Sequence, residues 1–187
     1  MEEMLYEKKI TSKTVFKGKI LTVYFDEVIL PDGKITTLEK VGHPGAVAIV
    51  QLTANGEIIM VKQFRYPVEK ILMEIPAGKL DSGEPEIECA RRELQEEAGV
   101  VGGQLIHLTT IYTTPGFSDE KMDIFLSKGF KEINNSPDHD EFLHIAKVKI
   151  SECLRMVYEG LIMDAKSIIG IMLARDYIMK NDYEAIK

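Results

Sequence analysis

Apolar and polar positions alternate from Thr14 to Val41, in TVFKGKILTVYFDEVILPDGKITTLEKV, with turn signals at Gly18 and at Pro31-Asp32-Gly33. Successive side chains on a strand face opposite ways, so the pattern predicts two or three antiparallel strands within residues 1–43. So short a β segment cannot bury its own apolar surface and needs another one, either the rest of the chain or a second copy. Residues 44–187 are expected to form the main domain. There GAVAIVQLTANGEIIMVKQFRY reads as two apolar strands joined at the hairpin signal Asn55-Gly56, followed by a short strand, ILMEI. Further strands are expected near Gln104 to Ile111, Met122 to Ser127 and Phe142 to Val148.

Three helices complete the pattern. The first runs from about Pro85 to Ala98, with Pro85 in its first turn and Gly99 in the left-handed position that ends it. Ser151 is expected to cap a second helix and Asp164 a third, which continues through AKSIIGIMLARDYIMK. Strands interleaved with helices give an α/β fold with a mixed sheet sandwiched between helices. The methionines of SIIGIMLARDYIM recur at helical spacing, and core packing explains them without a cofactor.

On the first helix, Ile87, Ala90, Leu94 and Ala98 fall within an arc of about 80°, the stripe expected against the sheet. Glu93, Glu96 and Glu97 then share one edge, expected to be exposed beside that stripe. Glu93 and Glu97 are a like-charge pair one turn apart, which costs roughly 0.2–0.5 kcal/mol. Something positive should offset it. Clustered hard oxygen ligands without histidine or thiolate select Mg²⁺ or Mn²⁺, ions that bridge carboxylates to phosphates. Arg92 is placed to pair with Glu96 or Glu88.

Composition narrows the classes. The 187 residues are 45% hydrophobic and 28% charged, enough to bury a core. A net charge of −7 offers no basic excess for a phosphate backbone, so nucleic acid is not an expected partner. Cys89 and Cys153 stand far apart, without zinc-ligand or disulfide spacing. The start, MEEMLYEKK, lacks a signal-peptide core, and no apolar run reaches the ~18 residues of a membrane span. A soluble cytoplasmic protein with no membrane partner is the expectation. His43, His107, His139 and His144 show no metal-binding spacing.

The stretch GKLDSGEPEIECARRELQEEAGV, residues 78–100, resembles the Nudix box at every defining position. It has Gly78, five residues, Glu84, seven residues, then Arg92-Glu93-Leu94, Glu96-Glu97 and Gly99-Val100. Such a long specified pattern is a strong signal. The resemblance to Nudix hydrolases implies an α/β/α sandwich and a divalent-metal enzyme that cleaves a nucleoside diphosphate linked to a further group. By position it implies Glu93 and Glu97 as principal metal ligands and Glu96 as a further ligand or a holder of water. The Ala77 carbonyl would be a backbone ligand, with Glu84 and Arg92 in support.

Outside the box, GAVAIV, VKQFRYP, EIPAGKLD and YTTPGFSDE resemble the ADP-ribose pyrophosphatase branch, as does Pro115, 16 residues past Gly99. Enzymes of other nucleoside diphosphate sugars share several of these stretches. Arg65 ends a strand, and its planar fork suits a phosphate oxygen. Glu74 reads equally as a substrate contact or an ordinary strand carboxylate. TTPGFSDE reads as a mobile loop; the resemblance implies a general base from it, Glu120, with Asp119 behind it, while Phe117 is better read as a loop anchor. The expected reaction is hydrolysis of ADP-ribose to AMP and ribose 5-phosphate. The rivals are a hydrolase of another sugar nucleotide, such as GDP-mannose, and a non-catalytic effector-binding domain. The resemblance also implies a homodimer in which residues 1–43 contribute to dimerisation and substrate contact.

Overall fold

The computed structural model describes residues 5–133 and 142–185, the last four as backbone. His139 lies outside the described residues. The chain divides into two compact units, Met1–Gly45 with Tyr112–Lys121, and Ala46–Ile111 with Met122–Lys187.

In the first unit, β1 (Lys8–Lys17), β2 (Thr22–Ile29) and β3 (Ile35–Gly42) form an antiparallel meander in sequence order. Its turns are those expected: Gly18 donates to the Leu21 carbonyl, and Gly33, with φ of 84°, closes the turn from Leu30 to Lys34. Only glycine takes that angle without strain. β1 is exposed along its whole length, leaving Ile10, Val15 and Phe16 in solvent. Residues 112–121 attach to the end of β3, where the Val41 N–H donates to the Phe117 carbonyl and the Asp119 N–H to the Val41 carbonyl.

The second unit is built on a seven-stranded mixed sheet. Its strands and helices, in chain order, are β4 (Ala46–Leu52), β5 (Glu57–Arg65), β6 (Lys70–Glu74), β7 (Ala77–Lys79), α1 (Glu86–Glu96), β8 (Val100–Val101), β9 (Gln104–Tyr112), β10 (Lys121–Lys128), β11 (Lys131–Glu132), β12 (Leu143–Lys149), α2 (Ile150–Tyr158) and α3 (Ala165–Ala185). The sheet order is β12-β5-β4-β10-β9, with β6 added to β5 and β7 to β4; β8 and β11 pair separately. β4 and β10 run parallel, from Ala46 beside Met122 to Leu52 beside Lys128.

Alternation along β4 makes the sandwich. Ala46, Ala48 and Val50 enter the core that also holds Cys153, Ile162, Ile171 and Ala174 of the α2–α3 side. Val47 and Ile49 enter the opposite core with Cys89, Ala90 and Leu94 of α1. A strand apolar on both faces needs cover on both, and the helices supply it. Asp164 caps α3 as expected, accepting the Ser167 N–H at 3.0 Å. Two expectations are corrected. α2 begins at Ile150 with Lys149 rather than Ser151 in the cap position, because the Ile150 N–H already donates to the Gly56 carbonyl. Met179 is 65% exposed, so not all the α3 methionines are core. No described helix is long and apolar enough to cross a membrane.

Candidate functional site

α1 opens at Pro85, which stands just outside the helix with extended backbone, and Glu86 and Glu88 in the first turn complement the helix dipole. Gly99, with φ of 61°, follows its end. Ala90, Leu94 and Ala98 are buried as expected, but the buried arc is shifted toward the carboxylates. Ile87 is 41% exposed, Cys89 takes the buried place, and Glu93 and Glu97 are 8% and 2% exposed rather than lying along an open edge. Their neighbour, β7, explains the difference. A Cβ on Gly78 would stand 1.7 Å from Glu93 Oε1, so the missing side chain is the space Glu93 fills. Glu97 Oε2 accepts the Ala77 N–H at 3.0 Å. Buried carboxylates of this kind persist only where charge or N–H groups face them.

Arg92 supplies the charge. Its Nε and Nη2 bind the two oxygens of Glu84, each at 3.0 Å, and Nη1 reaches Glu93 Oε1 at 2.7 Å and Glu96 Oε2 at 3.0 Å. Nη2 also donates to the Lys79 carbonyl at 3.1 Å. The fork thus ties the helix to the strand and loop before it. Hydrogen bonds from Arg92, then the Asp81 N–H, hold the Glu84 carboxyl down at about 2, and the Glu84 hydrogen bonds, then Glu93 and Glu96, raise the Arg92 pKa. Glu88, the other partner considered for Arg92, lies 3.8 Å from Arg91 instead.

Three carboxylates, Glu84, Glu93 and Glu96, therefore gather around one guanidinium, and a fourth, Glu97, one turn on from Glu93, is held by the Ala77 backbone. The donors are all oxygen, the set that suits a hard divalent cation, and the glycine-sized gap at residue 78 lets them crowd. Among the described residues, no three His, Cys, Asp or Glu side chains already close around a common point. Arg92 sits on the Glu93 and Glu96 oxygens in this arrangement.

Arg65 and Glu74 meet as a two-pronged pair across β5 and β6, Nε to Oε1 at 2.9 Å and Nη2 to Oε2 at 2.8 Å. Glu74 is 1% exposed and also receives Lys166 Nζ. Burial pushes its carboxyl pKa up, but the Arg65 hydrogen bonds and the Lys166 charge outweigh it and leave the pKa lowered. Asp164, the α3 cap, and Lys166 and Ser167 in its first turn join this cluster, with Lys166 Nζ 3.0 Å from Asp164 Oδ2. Sequence reading found Asp164 only as a cap. Nothing in the spacing of residues 74 and 166 could have paired them.

In the other unit, Glu120 accepts the Thr113 hydroxyl at 2.6 Å, and its second oxygen lies 3.6 Å from His43 Nδ1. Asp119 accepts the His43 N–H at 2.9 Å and Lys40 Nζ at 3.2 Å. Burial raises its carboxyl pKa less than these two donors lower it. His43 thus stands beside both loop acids, a placement its spacing did not reveal. Phe117 is exposed rather than anchored inward, and with Tyr112, Pro115, Asp26 and Lys40 it lines a cavity of about 460 Å³ within this unit. In the larger unit, His107 Nε2 lies 2.9 Å from Asp123 Oδ1, an acceptor, and 3.0 Å from the Thr110 hydroxyl.

Comparison with known proteins places this geometry. The NUDIX domain family model matches residues 42–160, and the model of the nucleoside diphosphate sugar hydrolase N-terminal domain matches residues 7–37. An ADP-ribose pyrophosphatase of Bacillus subtilis is 43% identical over 89% of this chain and 91% of its own. A methanol dehydrogenase activator of Bacillus methanolicus is 38% identical over 91% of this chain and 94% of its own. A crystal structure of an ADP compounds hydrolase superposes with a TM-score of 0.83 at 21% identity, over 94% of this chain and 95% of that one.

Proposed function

The chain belongs to the Nudix hydrolase family, and from that premise we propose that it hydrolyses the pyrophosphate bond of ADP-ribose to AMP and ribose 5-phosphate, using Mg²⁺ or Mn²⁺. The observation that carries the reading is the packing of Glu93 over Gly78 with Glu97 on the Ala77 N–H, which brings two box carboxylates and a backbone segment to one buried place. The choice of substrate is supported by the likeness to an ADP-ribose pyrophosphatase over nearly the whole chain.

Glu93, Glu96, Glu97 and the Ala77 carbonyl would hold the cation. Bound there, a divalent ion screens the diphosphate charge, polarises the phosphoryl oxygens and acidifies the attacking water. Arg92 keeps the like-charged carboxylates together, and Glu84 anchors Arg92 in turn. Arg65, with its Nη1 amine outside the Glu74 pair, offers donors to a phosphate oxygen. Glu120 accepts the proton of the water that attacks phosphorus, and the leaving phosphate departs with the other half of the substrate. The N-terminal strands, with their exposed apolar side chains, are read as a homodimer surface and a source of substrate contacts. The enzyme is read as cytoplasmic.

A substrate panel with product identification, with and without divalent cation, tests this. ADP-ribose should be the fastest substrate and give AMP and ribose 5-phosphate only when metal is present. Faster cleavage of GDP-mannose would move the substrate class, and ADP-ribose binding without phosphate-ester products would make the protein an effector-binding domain.

A further inference from the structure

We propose that Lys166 and Ser167, in the first turn of α3, are positioning residues for the candidate site, an inference that rests on the function proposed above. They hold two consecutive residues, Glu74 and Ile75, at the start of the segment that leads to Ala77. β6 ends at Glu74, so the buried Ile75 N–H has no strand partner there, and Ser167 Oγ accepts it at 2.9 Å. The Ser167 hydroxyl passes its own hydrogen to Asp164 Oδ2 at 2.5 Å, which fixes the direction of the chain of bonds. The helix is pressed close at this point: a Cβ on Gly170 would lie 2.9 Å from both Ile75 Cδ1 and Val50 Cγ2.

From Ile75 the path is short. The Pro76 carbonyl accepts the Ile49 N–H at 2.8 Å, and the next residue, Ala77, gives its N–H to Glu97. Removing the Ser167 hydroxyl leaves the Ile75 N–H buried without an acceptor, and the segment relieves that cost by shifting. Two residues on, the shift reaches the Ala77 backbone and the Glu97 carboxylate. Lys166 acts on the other arm. It shares Glu74 Oε2 with Arg65, so without it the buried Glu74 carboxylate depends on Arg65 alone, and the guanidinium is drawn from substrate phosphate toward Glu74.

Calorimetric titration of the full chain with Mn²⁺ separates this role from plain structural support. Ser167→Ala should bind Mn²⁺ about tenfold more weakly, while Ser167→Thr, which keeps the hydroxyl, should stay close to the wild type. Lys166→Met should raise KM for ADP-ribose more than it lowers kcat. Wild-type Mn²⁺ affinity in Ser167→Ala, whatever its melting temperature, overturns the proposal. If Ser167→Ala does not fold, an unchanged KM in Lys166→Met overturns it. Failure of the wild type itself to bind Mn²⁺ would instead bring down the functional reading on which the proposal rests.

Discussion

Two sets of acids carry the proposed chemistry, and they are held in opposite ways. Those of α1 are packed into protein: Glu93 fills the space above Gly78, Glu97 rests on a backbone N–H, and Arg92 spans Glu84, Glu93 and Glu96. Those of residues 112–121 hang from the end of β3 by a few polar contacts, through Lys40, His43 and Thr113. Like charges meant to share a cation need their mutual repulsion offset before the ion arrives. A group meant to accept a proton needs reach, and a loop provides it. The contrast predicts that disturbing the first set abolishes function outright, while disturbing the second divides acid from acid.

The largest effect should come from Glu97→Gln. The amide keeps the shape and can still accept the Ala77 N–H, so the fold should persist, yet turnover should drop by orders of magnitude. A purified, folded Glu97→Gln protein with near-normal activity would refute the assignment. Next in size, Glu120→Gln should lower kcat about 100-fold with a smaller change in KM, as expected when a proton acceptor is lost. Steady-state kinetics on ADP-ribose decide it, and an unchanged kcat moves the base elsewhere.

Arg92→Ala tests the packed set from its cationic side. Its donors serve the carboxylates of Glu84, Glu93 and Glu96 and the Lys79 carbonyl, so the loss should be about 1–2 kcal/mol in urea unfolding, with weaker Mn²⁺ binding. The acid limb should change too. Glu84 has its pKa depressed from 4.5 to about 2 in the folded protein, so the stability it contributes is present above 4.5 and lost as pH falls toward about 2. Without Arg92 that loss between 4.5 and about 2 should flatten. An Arg92→Ala protein with the wild-type acid limb would show that Glu84 is held by something else.

Legibility in the sequence followed the range of the interactions. The Asn55-Gly56 hairpin was visible because a two-residue turn is local: Gly56 takes φ of 71° and returns its N–H to Thr53. Asp164 was visible as a cap for the same reason. The box gave the spacing of Glu84, Arg92, Glu93, Glu96 and Glu97, and apolar periodicity placed Ala90, Leu94 and Ala98 in the core, but neither showed that the buried arc takes in Glu93 and Glu97. Periodicity also put Ile87 inward, whereas it is 41% exposed, and the glycine at residue 78 admits Glu93 instead. The strand β7 that makes this contact is three residues long, too short for a period to register. Glu74 with Lys166, and Ile75 with Ser167, join positions 92 residues apart, which no local pattern encodes.

The smallest predicted effect is the sharpest test of the division within the loop. Asp119→Asn keeps an oxygen for the His43 N–H and loses only the charge that Lys40 sees, in an ion pair whose side chains are 41% and 46% exposed. Pairs so open to water contribute roughly 0.2–1 kcal/mol, which caps the change in kcat at about fivefold even if all of it reached the transition state. Because the Asp119 pKa is lowered in the folded protein, its contribution is present at neutral pH and fades as pH falls, so the two proteins should converge at low pH. Measured beside Glu120→Gln, the outcome assigns roles to adjacent acids. A small loss for Asp119→Asn and a large one for Glu120→Gln makes Asp119 the residue that holds the loop to β3 and Glu120 the one that works. The reverse order would transfer the proton to Asp119, and equal losses would mean that loop position, not either carboxylate, limits the rate.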